Sequence, residues 1–239
     1  MYEKFGQFID GKWQQSSDKS TYEVINPANE EVIGHASKAT PADVDKALKS
    51  AAKGLEVWKQ TPPWQRSYII RKIADKMREK QDVLAKWMTL EVGKPFAEAK
   101  GEVGGAADIF EWNAEETKRI YGQTVESRFA DTRVHVYYQP IGVVAALTPW
   151  NFPLVLSSRK ISTALAAGCS VIVKPDVITC LLYTSPSPRD RQIFLNGMLK
   201  KQKEFMDKQL KVDLQIQEYM FIINPVSYTH LTLPTKRIV

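Results

Sequence analysis

The chain has 239 residues, 44% of them hydrophobic, and a net charge of +6 from 33 Lys and Arg against 27 Asp and Glu; this is apolar material for one sizeable core or two small ones. The charges are interspersed along residues 1–175 with no basic block, which argues against a nucleic-acid surface. No apolar run approaches the roughly 18 residues of a membrane span, the start MYEKFGQFIDGKW lacks the order of a signal peptide, and two cysteines, Cys169 and Cys180, are too few for a disulfide framework and lack the partners of a metal site, so a reducing, cytoplasmic setting is expected.

In chain order, residues 5–15 alternate around Asp10-Gly11, the signature of a tight hairpin, with Phe8 and Ile9 before it and Trp13 after it. Tyr22-Glu23-Val24-Ile25 leads into the turn Asn26-Pro27-Ala28-Asn29 and the strand-like Glu31-Val32-Ile33-Gly34, so an N-terminal all-β flap is expected. From Thr40-Pro41 the period changes to about 3.6, with Val44, Leu48, Ala51, Leu55 and Trp58 on one face of a capped helix. A second helix follows Pro62-Pro63 with Ile69, Ile73 and Met77 inward and Arg71, Lys72, Arg78 and Lys80 outward. A third carries Leu84, Trp87 and Met88 to a stop at Gly93-Lys94-Pro95. A longer helix has its stripe at Phe96, Ala99, Val103, Ala107, Phe110, Ala114 and Thr117. Gly101, Gly104 and Gly105 interrupt it where close helix contact is expected. After Tyr121-Gly122, alternation over residues 133–138 predicts a strand with one polar face carrying Arg133, His135 and Tyr137, with His135 read as a surface or structural histidine.

Residues 141–175 read as strand, polar turn, helix and strand. The short apolar runs 143–147 and 170–173 suit strands buried on both faces, and 154–167 is long enough to cross over as a helix ending at Gly168. The turn Thr148-Pro149-Trp150-Asn151-Phe152-Pro153 then falls at the carboxyl end of a strand, where open α/β sheets bind ligands. Spacing alone leaves Asn151 open between an Asx turn and a functional amide.

GQFIDGKW, INPANEEVIG, LEVGKPFAEAKGEV, QPIGVVAALTPWNFPL and RKISTALAAGCSVIVKP, in this order and at these separations, resemble the N-terminal part of the NAD(P)-dependent aldehyde dehydrogenase superfamily over about residues 5–175. EWNAEETKRIYGQTV and the Arg159-Lys160 pair are most similar to semialdehyde dehydrogenases, such as the succinate or 2-oxoglutarate semialdehyde enzymes. The resemblance implies an α/β fold in which an N-terminal β hairpin and a helical region lead into the first βαβ unit of a doubly wound dinucleotide-binding domain. It implies NAD or NADP as cofactor, a small aldehyde as substrate and a homo-oligomer in the intact family. Asn151 matches the amide that steadies the developing oxyanion, a contribution of about 3 kcal/mol to a transition state. Thr148, Pro149 and Trp150 match positions lining the dinucleotide site, and Trp150 would otherwise be read as core. Lys174 matches the lysine that contacts the adenosine ribose or its 2′-phosphate. Arg159 is open between a partner for a substrate carboxylate and an exposed helix arginine.

The cysteine nucleophile, the glutamate base in a Leu-Gly-Gly context and the glycine-bearing cofactor turn that the family carries downstream of Lys-Pro do not occur in this sequence. Cys169 is expected to be buried and inert, Cys180 lies beyond the matching segment, and neither is read as a nucleophile. The organisation expected is a partial cofactor-binding domain over residues 1–175 and an unrelated tail over 176–239. In that tail CLLYTSPSPRD reads as a linker, 192–220 as a Lys- and Gln-rich amphipathic stretch, and PVSYTHLTLPTKRIV as patternless. Its two outer runs resemble translated adapter or vector sequence, so a chimeric or truncated product is one expectation. With only two strands of a parallel sheet read, the apolar faces of 143–147 and 170–173 lack further strands, which predicts poor stability. A catalytically inactive fragment, a non-catalytic interaction protein using residues 41–121, the tail and the edge of 133–138, and a product without function all follow from this reading.

Overall fold

A computed structural model of the chain describes residues 6–180, 182 and 220–222. Two successive residues with positive φ, Asp10 at 55° and Gly11 at 71°, fold β1 (Gln7–Ile9) onto β2 (Lys12–Gln14), as the Asp-Gly pair predicts. This hairpin is not part of a separate flap. Phe8 enters the main core and Ile9 packs with Ala47, Ala51 and Ile172, so β1 joins the principal sheet. β3 (Thr21–Ile25) and β4 (Val32–Ser37) form a separate two-stranded sheet.

Four helices follow. In α1 (Pro41–Trp58), Thr40 and Asp43 form a reciprocal capping box, with Pro41 at the first helical position. The buried face of α1 is Asp43, Ala47, Ser50, Ala51, Gly54 and Trp58, whereas Leu48 is 45% exposed. The helix is thus rotated from the predicted stripe, because its small residues let it lie close over β1 and the sheet. Trp58 is fully buried and its indole N–H donates to the Leu165 carbonyl at 2.9 Å. α2 (Pro63–Glu79) buries Ile69, Ile70, Ile73 and Met77, and α3 (Gln81–Val92) buries Leu84 and Met88 before ending at the left-handed Gly93. α4 (Phe96–Thr117) buries Ala99, Val103, Ala107, Phe110, Ala114 and Thr117 as expected, whereas Phe96, in its first turn, is 45% exposed. Arg71, half-buried, and Arg78, exposed, pair from α2 with Asp108, Glu111 and Glu115 of α4. The expected close contact at the α4 glycines is absent: a β-carbon would meet nothing within 4 Å at Gly101 and only ordinary contacts, 3.5 and 3.9 Å, at Gly104 and Gly105.

The βαβ unit is β7 (Val143–Leu147), α5 (Pro153–Ala166) and β8 (Ser170–Lys174), with the strands parallel and Leu147 in register with Lys174. β8 is buried on both faces: Val171 and Val173 face α2, α4 and α5, while Ile172 faces α1. β7 departs from the prediction. Ala145 is exposed and Leu147 is 54% exposed, because β7 is the outer strand of the sheet and α1 covers it only at Val143. The sheet also has more strands than two. β9 (Met220–Ile222) runs parallel to β8 and antiparallel to β1, giving the order β2-β1-β9-β8-β7. The inner edge of β8 is therefore paired, and the paired strand comes from the segment expected to be unrelated tail. Residues 192–219 and 223–239 of that tail lie outside the described residues.

β5 (Gln123–Glu126) and β6 (Arg133–Val136) form an antiparallel ribbon in which all eight residues are exposed. The predicted strand over 133–138 is shorter, with Tyr137 and Tyr138 exposed beyond its end. His135 sits at the surface, its Nδ1 3.2 Å from the Thr124 hydroxyl. Among the described residues no helix is long and apolar enough to cross a membrane.

Candidate functional site

The parallel register of β7 and β8 brings the 148–152 turn and Lys174 to the same, carboxyl, end of the sheet. Thr148 extends this pairing by one more bond, its N–H donating to the Lys174 carbonyl at 3.2 Å. Its side chain is buried, and the hydroxyl has no hydrogen-bond partner among the described residues. Pro149, Trp150, Asn151 and Phe152 stand at the surface, with Trp150 and Phe152 each 50% exposed, so Trp150 is not a core residue. Lys174 is half-buried at the strand end. Five of the six residues singled out in the sequence thus gather in one region. Arg159, two turns into α5, is exposed and has no ion pair with a carboxylate among the described residues.

Two residues hold the turn that sequence reasoning did not select. The start of α5 has no capping side chain of its own: Phe152 is at the N-cap and Pro153 at the first helical position. Glu102, from the middle of α4, takes this role. Its Oε1 accepts from the backbone N–H groups of Leu154 at 3.0 Å and Val155 at 3.3 Å. Its Oε2 pairs with Lys94, which also donates to the Asn151 carbonyl at 3.1 Å and lies 4.0 Å over the Phe152 ring. The Glu102 side chain is 2% exposed and that of Lys94 11%. A signal for Glu102 was present, since it lies one helical turn from both Ala99 and Ala106 on the buried stripe. Another was the missing cap at Phe152-Pro153.

Neither cysteine is in a disulfide, and both are buried. Cys169 lies in the core beneath the Gly168 turn. Cys180 packs against Val24 and Ala36, and burial pushes its thiol well above its ordinary value, a hydrogen bond from Tyr22 opposing this only in part. Cys180 therefore lacks the environment of a thiolate. Glu91, also buried, accepts the Leu182 N–H at 2.7 Å in the same region.

A dinucleotide fits part of this surface. The N-terminus of α5, the usual place for a pyrophosphate, already holds a carboxylate. The strand ends, by contrast, offer the buried, unpartnered Thr148 hydroxyl and the Lys174 ammonium, donors suited to the adenosine end. Among the described residues there is no cluster of three His, Cys, Asp or Glu that would hold a metal ion.

These features define an α/β protein whose polar turn lies at the carboxyl ends of parallel strands, the place where open α/β sheets bind ligands. The sequence profile of the "Aldehyde dehydrogenase family" matches residues 13–185, and the chain belongs to that family. It is 46% identical over 168 residues to the glutarate-semialdehyde dehydrogenase of Pseudomonas aeruginosa and 46% identical over 167 residues to the NADP(+) succinate-semialdehyde dehydrogenase of Escherichia coli. In both cases the alignment covers 70% of this chain and 35% of the relative, so the chain spans about a third of the length of the curated relatives it matches. Among solved structures it is similar to an aldehyde dehydrogenase of Brucella melitensis, at a TM-score of 0.79 and 35% identity over 94% of this chain and 42% of that one. It is also similar to the Staphylococcus aureus betaine aldehyde dehydrogenase in complex with NAD+, at 0.80 and 31% over 93% and 41%. The family match reaches ten residues past Pro175 and takes in Cys180.

Proposed function

We propose that this chain is the amino-terminal part of an NAD(P)-dependent aldehyde dehydrogenase acting on a small semialdehyde. The observation that carries the reading is the gathering of Thr148, Asn151 and Lys174 at the carboxyl ends of β7 and β8 in a chain 46% identical to two semialdehyde dehydrogenases. A bound nicotinamide dinucleotide supplies the hydride acceptor for oxidation of an aldehyde to a carboxylic acid. In this reading Lys174 holds the adenosine ribose, Thr148, Pro149 and Trp150 line the same surface, and the Asn151 amide donates to the carbonyl oxygen as it gains charge. Arg159 would meet a substrate carboxylate. With neither cysteine in a disulfide, the protein is proposed to work in the reducing cytoplasm.

The chain by itself is proposed to be catalytically inactive, because both of its cysteines are buried and an aldehyde needs an accessible thiolate. The test is titration of the purified chain with NAD+ and NADP+, followed by calorimetry and by tryptophan fluorescence. Weak binding of at least one is expected, reduced about tenfold or more by Lys174→Ala, the scale of a lost charge-assisted hydrogen bond. Absence of binding by both would remove the cofactor assignment, and a steady aldehyde-dependent rise in NADH absorbance would overturn the proposed inactivity.

A second proposal concerns the β5–β6 ribbon. Val125, Val134 and Val136, with Phe129 at its tip, are all at least 36% exposed, which suits a contact between copies of the protein.

A further inference from the structure

We propose that Lys94 and Glu102 are positioning residues for Asn151: together they form a clamp, built on α4, that fixes the 151–155 turn so that the Asn151 amide is presented in one orientation. The inference rests on the role proposed for Asn151. An oxyanion donor is useful only when it is held before charge develops, since reorientation during the reaction would cancel much of the gain. The turn itself has little to hold it. Asn151 is exposed, its neighbours Trp150 and Phe152 are half-exposed, and α5 starts without a side-chain cap of its own.

The clamp supplies what the turn lacks. Glu102 is anchored in α4 between Ala99 and Ala106, which are both fully buried. One carboxylate oxygen takes the first two free N–H groups of α5, those of Leu154 and Val155. The other takes the Lys94 ammonium, which bridges to the Asn151 carbonyl. Three donors converge on one buried carboxylate, and its negative charge also complements the positive end of the α5 dipole. Lys94 in turn stands immediately after the α3 cap at Gly93 and Pro95 follows it, so its backbone is held between a left-handed glycine and a proline. The Phe152 ring against the ammonium closes the arrangement on its open side. Every link is a charge-assisted contact between α4, the α3–α4 connection and the turn, and none depends on the cofactor surface at Lys174.

The experiment is nuclear magnetic resonance on the isotopically labelled full chain, reading the Asn151 side-chain amide and the backbone amides of Leu154 and Val155. Lys94→Met removes the bond to the Asn151 carbonyl and keeps an apolar stem against Phe152. It is expected to increase the mobility of the Asn151 amide while leaving exchange at Leu154 and Val155 within about twofold of wild type, and Lys94→Arg is expected to restore the ordered signal. Glu102→Gln retains an acceptor for the two N–H groups and loses the ion pair, so it should resemble Lys94→Met. Glu102→Leu should also speed exchange of the Leu154 and Val155 amides about tenfold or more, the ratio expected for hydrogen bonds to a charged group. Amides in the packed interior, such as those of Met77 and Met88, serve as controls and should exchange as in wild type in all four variants. An Asn151 amide equally ordered in wild type, Lys94→Met and Glu102→Gln would overturn the inference. These readouts need neither aldehyde nor dinucleotide: failure to bind NAD+ or NADP+ would remove the enzymatic reading and leave the clamp standing, whereas an unclamped Asn151 with cofactor binding retained would do the reverse.

Discussion

The β7–β8 pair and the β5–β6 ribbon are both regular ladders of short strands, five residues against five and four against four, yet they are held in different ways. β8 is enclosed between α1 on one side and α2, α4 and α5 on the other, and the turn leaving β7 is tied to α4 by a buried carboxylate. The ribbon has backbone pairing and an Arg133–Glu126 ion pair at its end, with no residue buried. An isolated two-stranded ribbon is marginal in water, and exposed ion pairs add little. The difference shows that the local strand signal, alternation and β-branching, is shared by both regions, while stability comes from what covers them. The βαβ unit is covered by helices from earlier in the chain, whereas the ribbon has no cover among the described residues.

The largest disturbance should come from the covered region. Leu154 is fully buried in the first turn of α5, and Leu154→Ala should cost about 2–5 kcal/mol through lost contacts and a cavity, seen as a large fall in the urea midpoint. Gly168 follows closely. Its φ is +86°, and a β-carbon would lie 2.5 Å from Arg66 Nη1 and 2.9 Å from Pro140 Cγ, so Gly168→Ala should cost about 1–3 kcal/mol. Gly105→Ala supplies the opposite sign. The site is helical and roomy, and the substitution should stabilise by roughly 0.5–1 kcal/mol; a loss there would mean that the α4–α5 contact is tighter than its 3.9 Å clearance to Val155 indicates.

Much of this division was legible in the residues. The Asp10-Gly11 turn, the Thr40-Pro41 start, the left-handed stops at Gly93 and Gly168 and the apolar stripes of α2 and α4 are local signals, and the structure follows them. The turn carrying Thr148, Pro149, Trp150 and Asn151, and Lys174 at the end of the next strand, could be placed because a βαβ unit puts both at one edge. What local reading missed depends on distant partners. Glu102 caps a helix 52 residues away. β9 pairs with β8 although its three residues carry no periodic pattern long enough to read. Leu48 and Leu147 are exposed because no described element covers them, a property of the assembly of elements that periodicity within one element does not contain.

Acid should separate the two regions further. Burial alone would raise the Asp43 carboxyl, but hydrogen bonds from Ser17 and Thr40 outweigh it and hold the group down at about 2. Because this folded value lies below the ordinary carboxylate value of about 3.9, the bonds contribute stability that is fully present above pH ~4 and is lost as pH falls toward ~2. The start of α1 and the loop at Ser17 should therefore gain hydrogen exchange as pH is lowered through this window, after correction for the intrinsic rate. Asp43→Asn should flatten the dependence. The ribbon, with no buried carboxylate, should show no corresponding step.

The smallest effect on the single chain is expected in the ribbon, and it is the most telling. Val134 is 44% exposed and faces no helix, so Val134→Ser should change the urea midpoint by no more than about 0.5 kcal/mol equivalent. If the ribbon is covered by a second copy, the same substitution places a hydroxyl in an apolar contact and should lower the concentration-dependent mass measured by light scattering. A substitution that leaves both midpoint and mass unchanged would mean that the ribbon remains uncovered, and its pairing would then rest on the backbone ladder from Gln123–Val136 to Glu126–Arg133 alone.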